Sequence, residues 1–413
     1  MFKRWIQDLI CEAMTDTPVV FINGPRQAGK STLMQQLASS ESQHVNFDDL
    51  NVLQFAREDP VNFLANYEDC PLHIDEVQRV PSLFPTIKLL VDKNRRPGHF
   101  LLTGSANVLL LPQVAESLAG RMETLTLYPL SMGERYHRRE TFIEDLFSDD
   151  YVKRFQPLSH VDIDVDDIHK NIISGGFPEI HKRPAHHRQQ AWFRSYIENL
   201  LKKDVQELAH IENLTKMPNL LALLATRSGS LLNQAELSRS SALPTTTLKR
   251  YFSLLETFFL VHNLPAWAKN RSKRYTRSPK VYMTDTGVLC HLLKIRTEDL
   301  TPQLVEYGRI VETFVINELL KIASWNKPYT ELYHYRTATG LEVDCVLSTD
   351  DRRIAGIEVK ASRSVQPKDF KGLYALQQDC KDQFWCGIVL YMGTQITSFG
   401  PNMLALPISC LWN

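Results

Sequence analysis

No apolar run in these 413 residues is long enough to cross a bilayer, so no membrane-spanning helix is expected. No charge sign dominates either. Lys plus Arg and Asp plus Glu stand at 47 each, so no global basic field advertises nucleic acid, and any contact with it must use local patches. Seven cysteines, an odd number without CxxC pairing, argue against a disulfide framework and fit reduced thiols of a cytoplasmic protein, packed as small hydrophobes. The histidines form no cluster with metal-ligand spacing. Internal repeats and low-complexity segments are absent. The opening MFKRWIQDLICEAM lacks the apolar run and small-residue cleavage site of a secretory signal. Its Phe2, Trp5, Ile6, Leu9 and Ile10 recur at helical spacing instead, which predicts an amphipathic helix docked on the adjoining domain.

What is present is an ordinary globular composition, 43% apolar and 23% charged, in a chain long enough for two to four domains. From residue 19 short apolar runs (VVFING, HVNF, PLHID, HFLLTGS, METLTLYPL) alternate with helical patterns, the rhythm of a parallel sheet wrapped by helices. That rhythm stops near Gly133. Residues 136–225 read as mostly helical, a lid, with an acidic stretch HVDIDVDDIH and a turn at Gly175-Gly176-Phe177-Pro178. Residues 226–300 have the outline of a winged helix-turn-helix: a short helix QAELSRSS, a turn, a longer helix TTTLKRYFSLLETFFLV, and two extended segments flanking a basic loop. Residues 301–413 give a helix, then strand-like runs LYHYR, LEVDCVLS, IAGIEVKAS and CGIVLYM, with a helix before the last. The expected class is α/β, with residues 1–135 as the first core.

Within that core, GPRQAGKS matches GxxxxGK[ST] after a β-branched strand and before a helix. Gly24, Pro25, Arg26, Gln27, Ala28, Gly29, Lys30, Ser31 and Thr32 form the expected nucleotide-binding set. Their backbone amides cradle phosphates, Lys30 reaches the β- and γ-phosphates, and the Ser31 hydroxyl ligates Mg²⁺. The run ending in Ile74 delivers Asp75 and Glu76 to a strand end, Asp75 for the Mg²⁺ shell and Glu76 to polarise the attacking water. Ser105, in Gly104-Ser105-Ala106-Asn107, is the candidate γ-phosphate sensor. Arg121, in LAGRMETL, has two readings: a positive charge offered to the transition state, in cis or from a neighbouring subunit, or a solvated arginine before a strand.

The segments GPRQAGKS, HIDEVQ, LLTGSAN and LAGR, followed by GGFPE and YIENLLKKDV, resemble those of prokaryotic AAA-type ATPases that carry a C-terminal domain of unknown function. The resemblance covers essentially the whole chain. It implies a P-loop AAA-type parallel sheet, a helical lid containing the GGFPE-like turn, and a C-terminal domain similar to PD-(D/E)xK nucleases, with a restriction-endonuclease-like α/β fold. Ala28 and Ser31 depart from the bulkier aliphatic residue and the threonine common in that family, changes the phosphate chemistry tolerates.

In the C-terminal part, a hairpin turning at Asp351 sets Asp344 opposite Glu358, since 344 + 358 is twice 351. Such partners sit about 5 Å apart at Cβ, close enough to share a divalent metal. Lys360, two residues along the Glu358 face, would stabilise charge on a scissile phosphate or help activate water. Glu312 resembles the family's additional helical acid, and would complete a second metal site with Asp344 and Glu358. Alternating charge on a hairpin also describes one solvated face.

Lys269, Arg271, Lys273, Arg274, Arg277 and Lys280, with Tyr275 among them, make a wing that suits a phosphate backbone, and Thr245, Thr246, Thr247, Lys249 and Arg250 lie on the recognition helix. Basic loops are also commonly just solvated, and winged helices also bind proteins. The expectation is Mg-dependent ATP binding and hydrolysis coupled to DNA or RNA binding, remodelling or cleavage. The alternative is a nucleotide-switched regulatory or binding protein whose nuclease-like domain is not catalytic. Oligomers are compatible with either, and a translocating protein remodeller ranks last because no pore-loop signature is present.

Overall fold

The computed structural model describes residues 2–105, 118–155, 164–204 and 215–412. Two compact units form, Met1–Leu130 with Thr257–Phe259, and Ser131–Glu256 with Leu260–Asn413.

In the first unit the five apolar runs become five parallel strands: β1 (Val19–Asn23), β2 (Gln43–Asn46), β3 (Leu72–Asp75), β4 (Phe100–Gly104) and β5 (Met122–Thr126). Their order is β2-β3-β4-β1-β5. β1 and β4 are buried along their whole length, as central parallel strands covered on both faces must be. Phe21, Ile74, Phe100 and Leu102 of the sheet pack with Phe47, Phe63, Ile87 and Val91. Each such side chain contributes about 1.5–3 kcal/mol by leaving water. The helix Leu50–Glu58 starts at Asp49, whose carboxylate accepts from the Asn51 and Val52 amides. Pro60–Ala65 starts at Asp59 with proline in its first turn, where the missing N–H does no harm. The amphipathic N-terminal helix is Ile6–Ala13, with Ile6, Ile10 and Ala13 buried. Because β4 lies between β1 and β3, the segments leaving these three strands emerge side by side at one end of the sheet. The helix expected after β4 falls on residues 106–117, outside the described residues.

The second unit is helical at its start, through Phe142–Leu146, Tyr151–Phe155, Val165–Ser174, His186–Asn199 and Met217–Ala225. The acidic stretch is described only from Asp164, whose carboxylate accepts from the Asp166 amide and opens the helix Val165–Ser174. Val205, the end of YIENLLKKDV, lies outside the described residues. The glycine turn has a specific cause: Gly175 has φ +64, and a Cβ there would meet an Asp285 carboxylate oxygen at 2.3 Å. Asp285 accepts from the Gly176 amide at 2.7 Å and from Val288, so one buried carboxylate fixes the turn and caps the helix Thr286–Leu293.

Next come the helices Gln234–Ser241 and Thr245–Thr257 and a small antiparallel sheet, ordered β6 (Ser230–Leu231), β8 (Lys280–Met283), β7 (Val261–Leu264). The stretch expected as a plain basic loop contains a short helix, Arg271–Thr276, because the Asn270 side chain accepts from the Ser272 amide and caps it. The last part is the helix Tyr307–Ala323 followed by a six-stranded mixed sheet. β9 (Thr330–Arg336), β10 (Glu342–Thr349) and β11 (Ile354–Lys360) are antiparallel neighbours. The helix Lys371–Cys380 then crosses to β12 (Phe384–Tyr391), parallel to β11. β13 (Thr397–Gly400) and β14 (Met403–Pro407) extend the sheet beyond the strands the sequence pattern predicts. Among the described residues no helix is long and apolar enough to cross a membrane. All seven cysteines are free, and Cys11 is exposed rather than packed.

Candidate functional site

The loop after β1 turns at positions whose backbone suits glycine alone. Gly24 has φ +146, and a Cβ there would lie 2.2 Å from the Leu127 carbonyl oxygen. Gly29, φ +103, leads into the helix Lys30–Gln36. Lys30 is buried, and its Nζ donates to the Gly24 and Pro25 carbonyls at 3.0 and 2.9 Å. Burial lowers its pKa to about 8, with Glu76 and Asp75 pulling upward and Arg26 downward. The loop is braced from a direction the sequence did not signal: buried Arg4 donates to the Ala28 carbonyl at 2.7 Å and to Tyr128 at 2.6 Å.

Two strands over, Asp75 is buried and accepts from the Thr103 hydroxyl of the adjacent strand. Glu76 is next, at φ +59, a left-handed conformation that costs a non-glycine residue about 1 kcal/mol or more and that clusters at functional sites. Its carboxylate is held by the Gln78 amide and by the Ser105 hydroxyl at 3.1 Å, while Gln78 also donates to Ser105 at 3.0 Å. Thr103 and Gln78 lie within LLTGSAN and HIDEVQ, but the sequence assigns them no role, since the partners that give them one, Asp75 and Ser105, stand on or just past a neighbouring strand. Ala106 and Asn107 lie outside the described residues.

The structure thus brings Lys30, Asp75, Glu76 and Ser105 to one end of one sheet. The site fits Mg-ATP: a glycine-dependent cradle, a buried ammonium, the half-buried Ser31 hydroxyl, and the Asp75 carboxylate. Arg121 is a correction. It precedes the first residue of β5, its carbonyl accepts from the Val19 amide at the start of β1, and its guanidinium pairs with Asp92. It therefore sits at the opposite end of the parallel strands from Lys30, a full strand length of about 16 Å, and action in cis does not fit.

The C-terminal constellation is a second cluster. The hairpin forms in the expected register, with Cys345 opposite Ile357. Asp344 is 8% exposed, so this is no solvated face. Its Oδ2 accepts from the Val359 amide at 3.0 Å. Lys360 Nζ donates to Glu358 at 2.8 Å. Burial, with Asp344 adding, pushes the Glu358 pKa up to about 8, and burial with Asp344 pushes Glu312 up to about 7. The expected metal arrangement requires correction here as well. Lys280 Nζ lies between the acids, 2.8 Å from Glu312 and 2.9 Å from Asp344. The Tyr282 hydroxyl donates to Glu312 at 2.6 Å. Among the described residues no group of three or more His, Cys, Asp or Glu side chains is arranged to hold a metal ion.

Lys280 is therefore not part of the wing: at 3% exposure it belongs to the acid cluster. Arg274 is also diverted, lying over the Trp267 and Tyr333 rings, and Arg277 donates to the Arg336 carbonyl. Lys269, Arg271 and Lys273 remain exposed, with Tyr275 at 90%, as do Lys249 and Arg250 on the longer helix.

The AAA domain family matches residues 16–136, a Domain of unknown function (DUF8612) residues 165–299, and a Domain of unknown function (DUF4143) residues 307–411. The uncharacterized protein Rv2008c of Mycobacterium tuberculosis is 32% identical over 349 residues, 84% of this chain and 71% of its own length. An uncharacterized protein of Haemophilus influenzae is 23% identical, over 77% of this chain and 78% of its own. Among solved structures, the RuvB Holliday junction branch migration motor of Thermotoga maritima aligns at 18% identity and TM-score 0.26, covering 66% of this chain and 92% of its own, a likeness too low to carry an argument. With the AAA match and the parallel sheet, the first unit is of the class of AAA-type P-loop ATPases, which bind and hydrolyse ATP. The chain belongs to the family of the mycobacterial protein Rv2008c.

Proposed function

We propose that the protein is a Mg-dependent ATPase whose nucleotide cycle governs the handling of nucleic acid by its second unit. The observation that carries the ATPase half is the gathering of Lys30, Ser31, Asp75, Glu76 and Ser105 at one sheet end. Lys30 holds the β- and γ-phosphates, Ser31 and Asp75 hold Mg²⁺, which neutralises phosphate charge when bound, and Glu76 orients the attacking water. Ser105, touching Glu76, reports the γ-phosphate to it. Arg121 serves only if a second copy of the chain brings it to a neighbouring site.

The nucleic-acid half rests on element order. The helix Met217–Ala225, β6, two helices, β7, a basic segment and β8 succeed one another as in a winged helix, with Lys269, Arg271 and Lys273 exposed. The order helix, β9, β10, β11, helix, β12 with Asp344, Glu358 and Lys360 supports a PD-(D/E)xK-like C-terminal domain. The proposed domains are residues 1–135, the ATPase core; 136–225, the lid; 226–300, the winged helix; and 301–413, the nuclease-like domain. A second reading, a nucleotide-switched binding protein that does not cut, is favoured by Lys280 bridging Glu312 and Asp344.

ATP hydrolysis is to be measured with and without duplex DNA, single-stranded DNA and RNA, in the parent and in a Lys269→Ala/Arg271→Ala/Lys273→Ala variant. Stimulation by nucleic acid that the triple variant loses supports the coupled enzyme, and its binding should show a salt slope reduced by about 2–3. Hydrolysis indifferent to every nucleic acid rejects the coupling. Mg²⁺- or Mn²⁺-dependent strand scission abolished by Asp344→Ala would select the nuclease over the silent domain.

A further inference from the structure

The family resemblance implies a divalent ion among Glu312, Asp344 and Glu358, yet two of these side chains, Glu312 and Asp344, hold a different cation. We propose that the Lys280 ammonium is the resident cation of this acid pocket, and that its seating there and divalent-ion binding by the same carboxylates exclude each other. The inference depends neither on ATP hydrolysis nor on cleavage of nucleic acid.

The geometry makes the competition direct. Lys280 Nζ stands 2.8 Å from Glu312 Oε1 and 2.9 Å from Asp344 Oδ1, with Glu342 Oε2 at 4.0 Å. A small divalent ion such as Mg²⁺ would need oxygens at about 2.1 Å from its centre. Those two oxygens, converging on one nitrogen, can converge on one ion after shifts of roughly 0.7 Å, but ion and ammonium cannot share the position. Lys280 is almost wholly buried, a location where a charged amine persists only against paired carboxylates.

The neighbouring oxygens are committed around it. Tyr282 donates to Glu312, the Val359 amide to Asp344 Oδ2, and Lys360 to Glu358 Oε1. Glu358 Oε2, buried, accepts no hydrogen bond, so one carboxylate oxygen beside the pocket is left for an ion that takes the place of the ammonium.

The backbone that delivers Lys280 is independently secured. It is the first residue of β8, paired with Leu231 of β6 and Leu264 of β7. Just beyond β7, the His334 amide of β9 donates to the Pro265 carbonyl at 2.8 Å, and the Trp267 amide donates to the His334 carbonyl at 2.6 Å. The ammonium is therefore brought to the acids by a strand anchored on both sides, and the pocket couples β8 to the helix Tyr307–Ala323 and to β10. A divalent ion that took the acids would have to displace this anchored lysine, and the seated lysine keeps such ions out.

Mn²⁺ binding to the full chain without nucleotide tests this, by calorimetry and by the loss of free-ion electron resonance. Lys280→Met should gain one Mn²⁺ per chain, bound at least about tenfold more tightly than any Asp344-dependent ion in the parent, and Lys280→Met/Asp344→Asn should lose it. Any Mn²⁺ held near Asp75 remains as a background that Asp344 does not affect. A folded Lys280→Met that gains no Mn²⁺ overturns the proposal. Should that variant fail to fold, Lys280→Met/Glu312→Gln, with one carboxylate fewer facing the missing ammonium, is expected to show the same gain through Asp344 and Glu358, and its absence there is equally contrary. The parent provides its own arm: an Mn²⁺ site in the unaltered chain that Asp344→Asn removes, and that is within about tenfold of the tightness seen without Lys280 or saturates below about 0.1 mM, overturns the proposal whichever variant folds.

Discussion

Lys30 carries a pH signature of its own. Burial holds its ammonium at a pKa of about 8, against 10.5 for a free lysine. Between these values the unfolded chain binds the proton that the folded chain has released, so this group makes stability rise with pH across that window. Phosphate needs the ammonium, so ATP affinity at saturating Mg²⁺ should fall as pH climbs past about 8, to roughly a thirtieth at pH 9.5 relative to pH 7. Lys30→Met should bind weakly at both values. Calorimetry that finds the parent's affinity equal at the two pH values would contradict the burial argument. Glu358 has the opposite sign. Its folded pKa, raised to about 8 by burial and by Asp344, means that its contribution is present below about 4.5 and is lost as pH rises through about 8. Glu358→Gln should therefore gain stability relative to the parent between pH 5 and pH 9, on the order of 4 kcal/mol by urea denaturation, whereas a constant difference would refute it. Legibility at this scale depends on sequence distance. Lys30 and Ser31 share one loop, and Asp75 and Glu76 end one strand, so local pattern finds them. Arg4, Gln78, Thr103 and Lys280 act across 24 to 64 positions or through a neighbouring strand, where no local spacing marks them.

At the scale of elements, the GGFP turn and the helix Thr286–Leu293 depend on one carboxylate. Asp285→Ala leaves the Gly176 and Val288 amides without their acceptor, and should cost about 2–3 kcal/mol in chemical denaturation. A loss below about 0.5 kcal/mol would show that the turn is held by something else. The parallel strands of the first unit were readable because each is a short β-branched or aromatic run ended by a polar or glycine loop. The β10–β11 hairpin was readable in register because its turn centre fixes every pair. β13 and β14 escape such reading: Thr397–Gly400 is partly exposed with no alternation, and Met403–Pro407 is a short apolar run that periodicity alone cannot assign. The helix Arg271–Thr276 is hidden by its charge, which reads as loop until the Asn270 cap is considered.

For the whole molecule, equal numbers of acidic and basic residues conceal an uneven distribution: buried acids gather around Lys280, while exposed cations gather at Lys269, Arg271 and Lys273. Composition could say that no global field exists, and it could not say where the local ones lie. At this scale the ATPase proposal rests on the loop from Gly24 to Ser31 binding ATP and on Glu76 promoting its hydrolysis. The most direct measurement sets ATP binding beside phosphate release for the parent, Lys30→Ala and Glu76→Gln. Lys30→Ala should lose both, and Glu76→Gln should still bind ATP while hydrolysis falls at least about a hundredfold, a barrier change of roughly 2.7 kcal/mol. Hydrolysis that survives Glu76→Gln, or ATP binding that survives Lys30→Ala unchanged, would contradict the proposal.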